Sequence, residues 1–149
     1  MKFTPLIAMM TTAATMLGPA CADADDIALS LVHPKGRVDI PVSAVQRVDA
    51  WATTSVRIPQ TVEVREYPHP YVEVCFAKDI EERICQLTRQ IVDEPLAIVI
   101  DCNIVSEPIV MEPLCANPCI RVSANDVAEA RALAQRIRKG TNRACALSN

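Results

Sequence analysis

The sequence predicts an α+β domain: a small antiparallel-rich sheet with two helices on one face, held by disulfides. Three observations lead there. Two segments carry apolar residues at helical spacing behind acidic starts, at 79–91 and 126–140. Several short segments, clearest at 71–76, alternate apolar and polar residues with the period of a half-buried strand. Cysteine is abundant for so short a chain, with seven in 149 residues.

That length suits one domain. Hydrophobic residues make up 50% of the chain but aromatics only 3%, so the apolar material is Val, Ile, Leu and Ala. Such a mix builds a covered sheet more readily than an aromatic-lined pocket. The net charge is −3, with Lys and Arg scattered among Asp and Glu. No basic stripe of the kind that binds nucleic acid is present.

The N-terminus reads as an address. Lys2 precedes an uncharged apolar stretch over 6–17, followed by the small residues Ala20, Cys21 and Ala22 and an acidic run from Asp23. This order is a secretory signal over 1–22 with cleavage after Ala22. The stretch is shorter than the roughly 20 apolar residues of a membrane span. Acylation of Cys21 is disfavoured, because Gly18 stands where lipoproteins carry a branched apolar residue. The mature chain is therefore expected in the periplasm or secreted, with no integral membrane segment.

Removing Cys21 leaves Cys75, Cys85, Cys102, Cys115, Cys119 and Cys145, an even set that reads as disulfides. Zinc is poorly served. No C-x-x-C pair occurs, and His33 and His69 lie upstream of every mature-chain cysteine.

Along the chain, 23–41 forms a leader with a possible strand at 27–32, ended by the turn His33-Pro34-Lys35-Gly36. Residues 42–51 suit helix or strand. Segments 56–58 and 61–64 alternate as a half-buried strand would, and Tyr67-Pro68-His69-Pro70 must be extended or turning. From Tyr71 the order is strand, helix, strand, strand, strand, helix. Asp79 and Glu82 make a capping spacing for the first helix, whose stripe is Ile80, Ile84, Leu87 and Ile91. Residues 96–100 are continuously apolar, as in a strand buried on both faces. Asp101-Cys102-Asn103 turns into a strand over 104–111, where Pro108 marks an edge or bulge. A short strand at 120–122 precedes the second helix, capped by Asp126 and Glu129, striped by Val127, Ala130, Leu133, Ala134 and Ile137, and closed by Gly140. Residues 141–149 are a tail.

Several of these residues carry a resemblance. Cys85-Gln86-Leu87-Thr88 and Pro95-Leu96-Ala97-Ile98-Val99-Ile100-Asp101 resemble the periplasmic head subdomain of SecD, the protein-export accessory subunit. In that family a helix with an L-T pair leads into a strand reading A-I-V-L-D-G and a hairpin reading V-I-S-A-P. Here the hairpin reads Ile104-Val105-Ser106-Glu107-Pro108, and the closing helix Val127-Ala128-Glu129-Ala130 to Gly140 is similar to the family's. The likeness covers about 42–140. The family's glycine after the aspartate is Cys102 in this chain, and its glycine-rich loop is Cys115-Ala116-Asn117-Pro118-Cys119. The transmembrane segments of SecD have no counterpart. The resemblance implies the fold and a non-enzymatic module that contacts polypeptide outside the cytoplasm.

Chemistry is sparse. His33 and His69 sit beside prolines and read as surface-turn histidines, not as bases for a nucleophile. Cys115 and Cys119 precede a strand, so they lack the helix-start placement of a redox pair. Asp101, Ser106 and Glu112 serve turn and strand-edge chemistry. Neither a metal nor an organic cofactor is expected, since Gly36 and Gly140 are the mature chain's glycines and form no phosphate loop. The expected topology pairs Cys75 with Cys102, Cys115 with Cys119, and Cys85 with Cys145. Ile104, Ile109 and Val110, or the loop between Cys115 and Cys119, form the expected contact surface for a protein or extended polypeptide. The alternative function is an exported inhibitor or immunity-type protein that binds one folded partner.

Overall fold

A computed structural model describes residues 26–141. The signal sequence, its cleavage after Ala22, and the Cys145 pairing lie outside these residues. The element order is β1 (Ile27–His33), β2 (Gly36–Pro41), a 3-10 turn (Val42–Ala44), β3 (Val45–Trp51), β4 (Thr54–Arg57) and β5 (Val64–Tyr67). It continues with β6 (Tyr71–Phe76), α1 (Lys78–Thr88), β7 (Ala97–Ile100), β8 (Asn103–Ser106), β9 (Cys119–Ser123) and α2 (Val127–Lys139). The class is mixed α+β, all strand pairs are antiparallel, and the order from Tyr71 is as expected.

The strands divide among three sheets where one was expected. One has order β2-β1-β7-β8, a second β3-β6-β9, and β4-β5 form a two-stranded ribbon. Strand β1 is interior to the first sheet and consecutively buried from Ala28 to Leu31, so the N-terminal hairpin belongs to the core. Its one buried hydroxyl, Ser30, donates to Asp39 at 2.5 Å. Strand β7 is buried at Ile98, Val99 and Ile100, as a strand covered on both faces should be.

Both helices bury the stripes read from the sequence. Helix α1 packs against β2 through Ile80, Ile84 and Leu87. It ends at Thr88, and Ile91 stays fully buried in the turn that follows. Its N-cap is Ala77, without a side-chain bond; Asp79 lies in the first turn, where its charge complements the helix dipole. Helix α2 lies on β3 and β6 and also touches β1 and β7, so it bridges the two larger sheets. Asp126 caps it by accepting from the Glu129 N–H at 2.7 Å, and Gly140 closes it.

Two further segments differ from the sequence reading. The ribbon is a strand pair without burial: every residue of β5 is exposed, and the pairing begins at Val64 after a turn. Alternation gave its period but no neighbour covers it. The strand expected over 104–111 stops at Ser106, and Ile109 makes only an isolated bridge to Pro95. Pro108 has no N–H to continue the ladder. No helix among the described residues is long and apolar enough to cross a membrane.

Candidate functional site

A groove of about 790 Å³ opens where the two larger sheets meet. One wall comes from the first sheet, through Leu31, Leu96 and Ile98. The opposite wall is the outer face of β3-β6-β9, with Arg47, Glu73, Cys119 and Arg121. The third side is the segment after β8, which brings Pro108, Ile109, Met111 and Leu114.

Register explains the polar wall. In β3-β6-β9 the inward face places Val48, Val72, Val74 and Val122 under α2, which sends Arg47, Glu73 and Arg121 outward together. Glu73 is opposite Arg121 in the register, and its carboxylate accepts from Arg47 at 2.7 Å and from Arg121 at 3.2 Å. Arg121 also lies over the Tyr71 ring, 4.9 Å from its centroid, and Tyr71 stacks on the half-exposed Trp51 at 6.4 Å. Asp49, opposite Glu73 on β3, also pairs with Arg47 at 3.4 Å, so two carboxylates balance two guanidiniums on this face.

Cys75 faces Cys119 directly across β6 and β9, and the two form a disulfide. Cys85 on α1 is bonded to Cys115 in the loop before β9. These pairs correct the expected Cys75–Cys102 and Cys115–Cys119 bridges and take Cys85 from Cys145. Strands β6 and β7 lie in different sheets, so Cys102 is not at the end of a strand neighbouring β6. Cys102 is itself disulfide-bonded. The ligand atoms of Glu73, Cys75 and Cys119 lie within 4.8 Å of one another. Because the two sulfurs are joined, they offer no thiolate to a metal.

The groove's third side is fixed in place at several points. Val110 exchanges backbone bonds with Asp93 and Glu94 at 2.8 and 3.0 Å, and Leu96 N–H donates to Pro108. Leu114 N–H donates to the buried Thr88 hydroxyl at 3.0 Å, beside the Cys85–Cys115 bridge. Sequence reasoning gave Thr88 no task, although the L-T pair was its signal.

Of the expected contact residues, Ile109 is 51% exposed and lines the groove. Val110 is turned inward at 6%, a correction that follows from the bridge between Ile109 and Pro95. Ile104 is exposed on β8 but does not line the groove. Met111, 75% exposed, was missed.

The β9 edge borders the same groove. Phe76 N–H bonds to the Pro118 carbonyl and Ala124 N–H to that of Pro70, so alternation makes Val74–Ile120 and Val72–Val122 the hydrogen-bonded pairs. The backbone N–H and C=O groups of Arg121 and Ser123 therefore point away from β6.

His33 corrects the surface-turn reading. Its side chain is only 6% exposed, accepts at Nδ1 from Lys35 N–H at 3.1 Å and reaches Glu94 through Nε2 at 3.0 Å. The Lys35 ammonium beside Glu94, helped by His33, holds that carboxyl below its ordinary range. His69 is exposed, 3.4 Å from the Ser123 hydroxyl.

No curated protein sequence matches the chain. Among solved structures it is similar to a membrane component SecDF that enhances protein export, with 19% identity and a TM-score of 0.50. That superposition covers 77% of this chain and 48% of the other, so this chain spans about half the length of its structural relative. SecDF in a Super-membrane-facing form is also similar, at 18% identity and a TM-score of 0.49, covering 77% and 14% of the two chains. The pattern of the SecDF P1 head subdomain matches residues 46–143, from β3 through α2, and the chain belongs to that family.

Proposed function

We propose that this protein is an exported, non-enzymatic module that contacts polypeptide outside the cytoplasm, through the groove between its two larger sheets. The observation that carries this reading is the pairing of exposed Ile109 and Met111 with the outward backbone groups of β9. An extended chain laid along β9 would hydrogen-bond to Arg121 and Ser123, with alternate side chains against the apolar wall. Aromatic anchors are few, so affinity is expected to be low.

The test is an NMR titration of the mature chain with an unfolded secretory polypeptide. Shifts at Ile109, Met111, Arg121 and Ser123, lost in Met111→Asp, support the reading. An absence of shifts at high ligand excess, with tight capture of one folded partner, replaces it with the inhibitor function.

A further inference from the structure

We propose that β5 is a self-association edge, joining two copies of this chain through an antiparallel pairing centred on Val64. The surface is distinct from the groove.

The ribbon β4-β5 is hydrogen-bonded to no other strand of the described residues. A two-stranded hairpin with nothing packed on it is marginal in water. This one also exposes apolar side chains: Val62 is 96% and Val64 53% exposed. Ile58 N–H donates to the Glu63 carbonyl at 3.1 Å, and the register continues as Arg57↔Val64 and Val56↔Arg65. Antiparallel alternation then makes Val56–Arg65 and Thr54–Tyr67 the hydrogen-bonded pairs. The backbone groups of Val64 and Glu66 are left directed outward, along an edge that another strand can join.

Charges on an edge usually block such pairing. Here they select one register. A two-fold axis through Val64 sets Val64 against its own copy and Val62 against Glu66, with the outward groups meeting one another. Glu63 then stands opposite Arg65 of the second copy, twice over, while Val62 and Val64 of both chains gather on one face. Each adjacent register puts like charges in opposition. Centring on Glu63 opposes two carboxylates, centring on Arg65 opposes two guanidiniums, and centring on Glu66 again opposes two carboxylates. Like charges directly opposite destabilise a strand pair, and unlike charges favour it. The occupant this edge fits is therefore a second copy, in a self-complementary two-fold contact.

Sedimentation of the mature chain over a wide concentration range tests this. The wild type is expected to double its mass at high concentration. Glu63→Arg and Arg65→Glu should each remain monomeric, since each sets like charges across the seam. Their equimolar mixture, and the double variant, should dimerise again. Circular dichroism verifies that each variant is folded. A wild type that stays monomeric throughout, single variants that dimerise as it does, or a mixture that fails to recover would each overturn the proposal.

Discussion

The Thr88 hydroxyl accepts a hydrogen bond from Leu114 N–H at 3.0 Å while donating to the Ile84 carbonyl at 2.8 Å. One buried group thus ends α1 and holds the loop that forms the groove's third side. Thr88→Val keeps the shape but strands the Leu114 N–H, which costs about 1–3 kcal/mol. Hydrogen exchange at the Leu114 amide should accelerate relative to the Val110 amide, which bonds to Glu94 instead. Unchanged protection at Leu114 would show that the loop is held without Thr88.

The disulfides give a covalent check on the sheet arrangement. Unreduced peptide mapping should yield Cys75 with Cys119 and Cys85 with Cys115. Their sequence separations are 44 and 30 residues. Replacing either pair with Ala should lower stability by about 3–4 kcal/mol through loop entropy in the unfolded chain. Denaturant titration measures this. Recovery of a Cys115–Cys119 peptide would contradict the β6–β9 register itself.

What was legible in the sequence was local. Asp126, Glu129 and Gly140 mark both ends of α2 because capping depends only on residues within a turn. Asp79 misled for the same reason: an acid three residues before another also occurs inside a first turn, and Ala77 is the cap. Strand partnership is not local. Nothing near Ile27–His33 announces that β1 pairs with β7, some seventy residues on, and both sheets and disulfides depend on that choice. Alternation in the ribbon gave its period but could not reveal that neither face is covered. The groove was half legible, through Ile109, whereas its polar wall needed the β6–β9 register to bring Glu73 beside Arg121.

Glu94 should titrate below its ordinary value of 4.5 in the folded protein. The cause is chiefly the Lys35 ammonium, which also donates to the Gln90 carbonyl at 3.0 Å and so ties the β1–β2 turn to the segment after α1. A depressed carboxyl contributes stability above its unfolded pKa, and that contribution is lost as pH falls through the folded value. Side-chain carboxyl NMR should place the midpoint below 4.5, and Lys35→Met should raise it. A wild-type midpoint at or above 4.5 would remove the ion pair from the solution structure.

Gly140 should tolerate no side chain. It ends α2 at φ 67° and ψ 178°, a region that residues with a Cβ rarely enter. Space is missing as well as conformational freedom: a Cβ there would lie 2.5 Å from Val42 Cγ2 and 2.8 Å from Asp26 Cβ. The next residue, Thr141, exchanges two backbone hydrogen bonds of 2.9 Å with Ile27, which starts β1. Gly140→Ala therefore strains the backbone and pushes apart the helix end and the first strand. The backbone part alone costs about 1–3 kcal/mol, and the clash adds to it. Trimming the obstacle separates the two contributions: Val42→Ala in the Gly140→Ala background should relieve the nearest contact but leave the dihedral cost in place. Chemical denaturation of the two variants and the wild type, with hydrogen exchange at Ile27 and Thr141, measures both. A Gly140→Ala protein as stable as wild type, with those amides still protected, would mean that α2 closes onto β1 by some other geometry.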